Sequence, residues 1–214
     1  MADPSDVLSR PAPAPTSTLR YGEEPEHGAD LWWPASERLH PALVVVIHGG
    51  FWRAGFDRTH ARPMGNALSA QGFSVTSIEY RRTGMPGGGW PGTLDDVRLA
   101  TTRLPDLVAA QAGRPVGPTV LLGHSAGGHL ALWSGSQVPL PDLAGVVSLA
   151  GVCDLVRADE LGLGAQGDDG AVAAFLGGRR DEGRGGDPAA PEGGPSGHAG
   201  PIGRLSSHGS RLPW

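Results

Sequence analysis

One serine, Ser125, stands in a pattern of residues that suits nucleophilic chemistry. It lies midway between Gly123 and Gly127, and this G-x-S-x-G spacing is typical of a nucleophile elbow. The apolar run at 120–122 predicts a strand that ends at the turn, and the apolar residues at 130–133 predict the helix that follows. Glycine is expected on either side because a side chain there would collide with neighbouring backbone. The turn exposes the hydroxyl and points the helix N-terminus at a reacting carbonyl group, so the pattern predicts a serine hydrolase.

A second motif, His-Gly-Gly-Phe-Trp at residues 48–52, follows a continuous apolar run at 43–47. Such a run is typical of a parallel strand that is buried on both faces. Acyl transfer needs two N–H donors for the oxyanion, one from the residue after the nucleophile and one from a loop after an earlier strand. The glycine pair leaves the backbone of this loop bare enough to approach a substrate oxygen. Either glycine pair alone would fit an ordinary tight turn, whereas the two motifs in this order favour a hydrolase.

The two motifs resemble those of the α/β-hydrolase superfamily, in particular its small esterases and kynurenine formamidase-like hydrolases. The resemblance covers residues 18–177 and includes the Glu-Tyr-Arg run at 79–81. It implies hydrolysis of small carboxylic esters or amides through an acyl-enzyme, with Ser125 as the nucleophile. The candidate oxyanion donors that it implies are the main-chain amides of Gly50, Phe51 and Ala126. The supporting residues that it implies are His48, which would orient the loop, and Gly49, Gly123 and Gly127.

The histidine that this family requires after the nucleophile is not evident from the sequence. His129 lies one helical turn beyond Ser125, a position that packs behind the elbow, so we expect a structural role for it. His198 and His208 lie in glycine-rich sequence without signals of secondary structure. A general base has to be held within hydrogen-bond reach by rigid neighbours, and such sequence does not hold it.

The catalytic acid is equally hard to place. Asp154 is the best-placed candidate because it follows the apolar run at 145–150, and some members of the superfamily carry their acid after this strand. The alternative is that Asp154 caps a loop, as aspartate often does. Asp168 and Asp169 are expected to be solvated in a loop.

Hydrophobic patterning predicts the elements that must position these residues. Strands alternate with helices, which predicts a doubly wound, mainly parallel sheet with helices on both faces, opened by two antiparallel strands. Thr93 and Asp96 form a capping-box pattern at the start of one helix, and Pro105 should kink or split it. The predicted strands are 18–21, 29–33, 43–47, 73–80, the run at 120–122 that enters the turn, and 145–150. The predicted helices are 59–71, 93–112 and the one that follows Ser125.

The sequence divides into a flexible arm at 1–17, an α/β-hydrolase core at 18–177 and a tail at 178–214. Residues 177–214 contain 11 glycines and 5 prolines, and no window of four that could form a buried strand. Such a segment is expected to be disordered, because it cannot bury enough surface to offset its ordering entropy. We therefore expect the hydrolase sheet to be truncated at its C-terminal end. The tail is either a natural extension or a frame-shifted reading of the segment that once carried the acid and the histidine. In the second case the chain is a catalytically crippled hydrolase that at most binds a small molecule.

Composition excludes several other classes of function. The net charge is −5 and no basic block is present, so we expect no nucleic-acid partner. No apolar run is long enough for a signal peptide or a membrane span, which predicts a cytoplasmic protein. The single cysteine, Cys153, excludes an intrachain disulfide and is expected to be buried and inert. No histidine or cysteine cluster indicates a metal or cofactor, and the oligomeric state stays open.

Overall fold

The computed structural model describes residues 11–35, 39–165 and 170–177. Several sequence predictions lie outside these residues: the first ten positions of the proposed arm, the tail at 178–214, and the residues Asp168, Asp169, His198 and His208.

Six strands and five α-helices make up the described part of the chain. The strands are β1 (Ser17–Arg20), β2 (Gly28–Trp32), β3 (Leu43–Ile47), β4 (Ser74–Ile78), β5 (Thr119–His124) and β6 (Leu143–Leu149). The helices are α1 (Arg62–Ala70), which a 3-10 turn at Arg58–Ala61 precedes, α2 (Gly92–Ala112), α3 (Ala126–Gln137), α4 (Leu155–Glu160) and α5 (Ala171–Phe175). Among the described helices, none has both the length and the apolar character that crossing a bilayer requires.

The strands form one sheet in the order β1-β2-β4-β3-β5-β6. The first two strands are antiparallel to their neighbours, and β4, β3, β5 and β6 run parallel to one another. The prediction of a doubly wound, mainly parallel sheet that opens with antiparallel strands is therefore confirmed. The carboxyl ends of β3 and β5 lie side by side, because Ile47 pairs with Gly123, so the two sequence motifs meet at one edge of the sheet.

The core lies on both faces of the sheet. One face carries α2 and α3, whose side chains such as Leu104 and Leu130 are completely buried. The opposite face carries α1 over a smaller cluster that includes Trp32, Val44 and Val75. Alternate residues of β3 belong to the two clusters, which explains why the whole strand is apolar.

Of the two effects predicted for Pro105, a kink or a split of the helix, the structure contradicts the split. The helix runs unbroken for 21 residues with Pro105 inside. A proline in a helix costs about 3 kcal/mol through its missing N–H and its ring. Leu104 and Val108 lie close to it and are completely buried against the sheet, and each such burial stabilises the fold by about 1.5–3 kcal/mol. Tertiary packing therefore outweighs the local preference.

The predicted capping box at the start of α2 is also wrong. Pro91 precedes the helix and provides no side-chain cap. The almost completely buried Asp96 binds residues outside the helix instead of the helix N-terminus. Its carboxylate accepts hydrogen bonds from His27 Nε2 at 2.9 Å and from the Arg81 main-chain N–H at 2.8 Å, and it pairs with the Arg81 guanidinium at 2.6 Å. Burial by itself raises the pKa of the Asp96 carboxyl, but these hydrogen bonds outweigh it and hold the pKa below its usual value.

Acid is expected to remove the stabilising contribution of Asp96. A carboxyl whose pKa is lower in the folded than in the unfolded chain stabilises the fold above its unfolded pKa of about 3.9, and this contribution is lost as the pH falls through the folded pKa. Asp96→Asn should therefore unfold at a lower urea concentration than the native protein at about pH 7, with a difference that shrinks below about pH 4. A difference of the same size at about pH 3 and about pH 7 would contradict this role of Asp96.

Strand β6 forms the edge of the sheet within the described residues. Val147 and Leu149 project from the α1 face of the sheet, and each is 40% exposed. Exposed apolar side chains on an edge strand favour pairing with another chain.

The prediction that Cys153 is buried is wrong. Its side chain is exposed, with Sγ 3.7 Å from Ser148 Oγ. The reason is topological: β6 is the edge strand of the sheet that the described residues form, so the chain that follows it lies at the surface of this part of the protein. An apolar sequence context alone does not reveal this position.

Candidate active site

Ser125 occupies a sharp turn between β5 and α3. Its backbone has φ 54° and ψ −120°, a conformation that costs a residue with a side chain about 1–3 kcal/mol. The strand ends at His124 and the helix begins at Ala126, so Ser125 is the only residue between the two elements. Its main-chain N–H donates to the Leu149 carbonyl at 2.9 Å, which ties the turn to the end of β6. Strain of this kind persists only where the surrounding structure holds it.

Glycines around this turn allow backbone to pack directly on backbone. A Cβ atom added to Gly123 would overlap the carbonyl of Gly127, and one added to Gly127 would overlap the carbonyl of Ile47 at the end of β3. At Gly49 an added Cβ would lie 2.7 Å from the His124 carbonyl oxygen. Larger residues at these positions would push β3, β5 and α3 apart, so the glycines bring the two motifs together.

The loop after β3 lies beside the elbow and has an unusual backbone. Gly50, Phe51 and Trp52 all have positive φ, at 110°, 52° and 57°, and the Arg53 N–H donates to the Gly50 carbonyl at 3.0 Å. A Cβ on Gly49 would be 3.1 Å from the Cβ of Ser125, so the loop and the serine are direct neighbours.

The main-chain N–H groups of Gly50, Phe51 and Ala126 donate to no other residue within the described ranges. Buried or half-buried backbone N–H groups are normally paired, so three such groups near one serine are informative. All three belong to the two segments that pack against each other at the carboxyl edge of the sheet. Their arrangement can supply hydrogen bonds to an anionic oxygen beside Ser125.

His48 is completely buried beneath this loop. Its Nδ1 lies 2.8 Å from the Gly49 carbonyl oxygen, and its Nε2 lies 3.0 Å from Glu79 Oε1. The ring stacks on Tyr80 with 4.4 Å between centroids, and the Tyr80 hydroxyl donates to the His48 carbonyl at 2.8 Å. These contacts agree with the predicted role of His48 in orienting the loop.

Glu79 is a functional candidate that sequence reasoning missed, although its run was noticed. Its carboxylate also accepts the Arg58 main-chain N–H at 3.0 Å and lies 3.4 Å from the Arg82 guanidinium. Burial by itself raises the pKa of this carboxyl, but the His48 hydrogen bond, the backbone donor and the Arg82 charge together hold it below its usual value. An acidic residue at the end of a predicted strand, at the carboxyl edge of the sheet, was the signal in the sequence.

His129 packs behind the elbow, in the position expected for it. Its ring meets Trp52 edge-on with 5.5 Å between centroids and Phe175 with 6.0 Å, and its main-chain N–H donates to the Ser125 carbonyl at 3.3 Å. Burial lowers the pKa of its imidazole, so the neutral ring is favoured among these aromatic neighbours. Trp52 is itself completely buried and stacks on Phe175 with 4.8 Å between centroids, so its role is to pack the loop against α5.

Asp154 caps helix α4, whereas its sequence context suggested either the catalytic acid or the cap of a loop. Its Oδ1 accepts the Arg157 main-chain N–H at 2.8 Å, and its side chain is exposed. A contact between Asp154 and a histidine is absent from the described residues. The structure thus brings the oxyanion candidates to Ser125 but does not bring Asp154 into hydrogen-bond contact with a base.

No histidine or carboxylate among the described residues is hydrogen-bonded to the Ser125 hydroxyl. His124 is adjacent in sequence and exposed, while the ring of His60 meets that of His48 edge-on with 5.4 Å between centroids. In the same part of the chain, no group of three or more histidine, cysteine, aspartate or glutamate side chains is arranged to hold a metal ion.

Comparison with known proteins finds relatives that are named as esterases and as a formamidase. Kynurenine formamidase from Salmo salar is 28% identical over 142 residues, which cover 64% of this chain and 45% of the relative. An esterase from Mycobacterium tuberculosis is 31% identical over 116 residues, which cover 54% of this chain and 28% of the relative. The chain therefore spans less than half the length of these curated relatives. The structure of esterase B from Lactobacillus rhamnosis superposes with a TM-score of 0.59 at 25% identity, over 80% of this chain and 59% of that one.

A family model gives the decisive match. The model described as BD-FAE matches residues 29–183, a range that contains β2 to α5 and therefore both the loop after β3 and the elbow. This range is more than half of the chain, and the fold of the described residues agrees with that of the esterase structure. The protein belongs to the BD-FAE family and has an α/β-hydrolase fold.

Proposed function

We propose that this protein is a serine hydrolase that cleaves small carboxylic esters or amides through an acyl-enzyme on Ser125. The observation that carries the proposal is the strained turn at Ser125 beside main-chain N–H groups without partners among the described residues. The names of the relatives, an esterase and a formamidase, support ester or amide substrates.

The chemistry follows from the geometry of the turn and the loop. Ser125 Oγ attacks the carbonyl carbon of the substrate, the hydroxyl proton leaves to a base or to solvent, and negative charge develops on the carbonyl oxygen. The N–H groups of Gly50, Phe51 and Ala126 stabilise this charge. The tetrahedral species expels the protonated alcohol or amine and leaves an acyl group on Ser125. Water then attacks the acyl group, which releases the carboxylic acid and restores the serine.

A second candidate is a protein that binds such molecules, or is acylated by them, without efficient turnover. The specific observation in its favour is that the described residues place no histidine on the Ser125 hydroxyl. Asp154, the best-placed acid, instead caps α4. The two candidates differ in whether the acyl group leaves Ser125.

Labelling with a fluorophosphonate probe tests the proposal. Ser125 should be the labelled residue, because it combines a strained turn with donors for the phosphonyl oxygen, and Ser125→Ala should abolish labelling. Peptide mapping by mass spectrometry identifies the adduct. Ser136→Ala is the matched control, since Ser136 is an exposed serine of α3, the helix that follows Ser125, and its hydroxyl donates to the Trp133 carbonyl. An adduct on another serine, or undiminished labelling of Ser125→Ala, would rule the proposal out.

A further inference from the structure

We propose that His48 is a buried imidazolium, paired with Glu79, that locks the peptide between Gly49 and Gly50 and thereby presents the Gly50 N–H to the oxyanion. His48 and Glu79 are then positioning residues: they act through the loop and do not touch the substrate. The catalytic consequence rests on the proposed function, whereas the protonation of His48 and the lock itself do not.

The protonation of His48 follows from what its two nitrogens face. A neutral imidazole carries one N–H, so it can donate one hydrogen bond only. Nδ1 faces the carbonyl oxygen of Gly49 at 2.8 Å and Nε2 faces a carboxylate oxygen of Glu79 at 3.0 Å, and both of these oxygens are acceptors. Because the ring is completely buried, water cannot replace either partner. Both nitrogens therefore carry a proton, and the carboxylate balances the charge.

Glu79 is held in its ionised form by its other neighbours. Its two oxygens also accept the main-chain N–H groups of Tyr80 at 3.1 Å and Arg58 at 3.0 Å. The guanidinium groups of Arg82 and Arg58 lie at 3.4 Å and 3.7 Å. A protonated carboxyl would lose these charge-assisted contacts, so the proton stays on His48 Nε2 rather than moving to Glu79.

The direction of the Gly50 N–H follows from the geometry of a trans peptide. In a planar trans peptide, the C=O of one residue and the N–H of the next point to opposite sides. The Gly49 carbonyl is held by His48 Nδ1, so the Gly50 N–H points away from the buried ring. No described residue accepts it. Without this bond, two adjacent glycines would leave the peptide free to rotate.

Further contacts keep the pair rigid. The Tyr21 hydroxyl donates to the Glu79 main-chain carbonyl, and the Tyr80 hydroxyl donates to that of His48 while its ring stacks on the imidazole. Burial raises the pKa of both phenols, so both remain donors. A donor that is preorganised in this way adds to the rate because it needs no rearrangement as charge develops.

A spectroscopic measurement tests the protonation independently of any activity. In protein labelled with 15N-histidine, the imidazole nitrogens of His48 should both show the protonated pattern at about pH 7.5, where an ordinary histidine is neutral. The His48 signals are assigned by their absence from His48→Gln. A pattern of one protonated and one unprotonated nitrogen for His48 would overturn the proposal.

Substitution of Glu79 tests the consequence for the loop. Glu79→Gln should convert His48 to the neutral pattern and slow fluorophosphonate labelling of Ser125 by about 10- to 100-fold, below the loss of about 10²–10³ expected when an oxyanion donor is removed outright. Glu79→Gln should lower the maximal labelling rate. The probe concentration that gives half of this rate should stay nearly unchanged. Glu79→Asp keeps the charge and should recover part of the rate.

Asp96→Asn is the matched control. Asp96 is another almost completely buried carboxylate, paired with Arg81 at 2.6 Å and hydrogen-bonded to His27, and it makes no hydrogen bond to the His48–Glu79 pair or to the two arginines beside that pair. This variant should lose stability but keep the labelling rate within about twofold. Equal slowing by Glu79→Gln and Asp96→Asn would mean that general destabilisation is responsible, and would overturn the proposal. If native Ser125 is not labelled, the proposed function fails, while the nitrogen spectrum of native His48 still decides its protonation.

Discussion

Replacing Gly127 with alanine is expected to abolish labelling of Ser125 and to lower the free energy of unfolding by about 3 kcal/mol or more. The added methyl group would overlap the main-chain carbonyl oxygens of Ile47 and His48. These oxygens belong to the end of β3 and the start of its loop, and neither can move away as a flexible side chain could. The first turn of α3 would therefore be displaced, together with Ser125 and the Ala126 N–H. Urea denaturation and probe labelling of the same preparation measure the two effects.

Gly145→Ala is the control for this experiment. Gly145 lies in β6, and a Cβ atom there would meet no atom within 4 Å. Its substitution should leave labelling unchanged and alter stability by no more than about 1 kcal/mol, with stabilisation the expected direction. If Gly127→Ala labels at the native rate, the close backbone contact between α3 and β3 is not what holds the elbow.

Slow turnover is the second large effect that we expect. The 214-residue chain should hydrolyse a simple aryl ester far below the ordinary enzyme rate of about 10 per second. The described residues place no base on the Ser125 hydroxyl, so the oxyanion donors and binding would act alone. In known serine hydrolases these leave an acceleration of roughly 10³–10⁴ over water. Stopped-flow measurement of the released phenol gives the rate.

The histidines outside the described residues provide the decisive variants for this prediction. A turnover of about 10 per second would contradict it and would show that a working base exists. His198→Ala and His208→Ala would then identify the base, since only one of the two should abolish the rate. Ser125→Ala in parallel separates acyl-enzyme chemistry from hydrolysis elsewhere on the surface.

The elbow and the loop after β3 could be recognised from sequence because their constraints are local. Gly123 and Gly127 sit where a Cβ would overlap backbone, and Gly50 adopts a positive φ that glycine adopts without strain. Such requirements dictate residue type at fixed spacing, so they are visible in a single chain. The alternation of apolar strands and helices likewise predicted the parallel sheet, because each element must bury its own face.

Predictions failed where a distant partner decided the outcome. Asp96 fits a capping box, yet Arg81 and His27, the latter 69 residues away in sequence, bind its carboxylate. Pro105 should interrupt a helix, but burial of the side chains beside it keeps the helix whole. Cys153 looked buried because its neighbours are apolar, while its exposure depends on β6 lying at the edge of the sheet.

The sequence by itself thus determined the nucleophile candidate, its oxyanion candidates and the class of the fold. Only the tertiary structure decided which side chains support the loop after β3 from below. Glu79 is 31 residues from His48 in sequence, and the two meet because β3 and β4 are adjacent parallel strands whose ends coincide. Ion pairs and hydrogen bonds of this kind depend on distance and burial in three dimensions, and residue spacing carries no record of either.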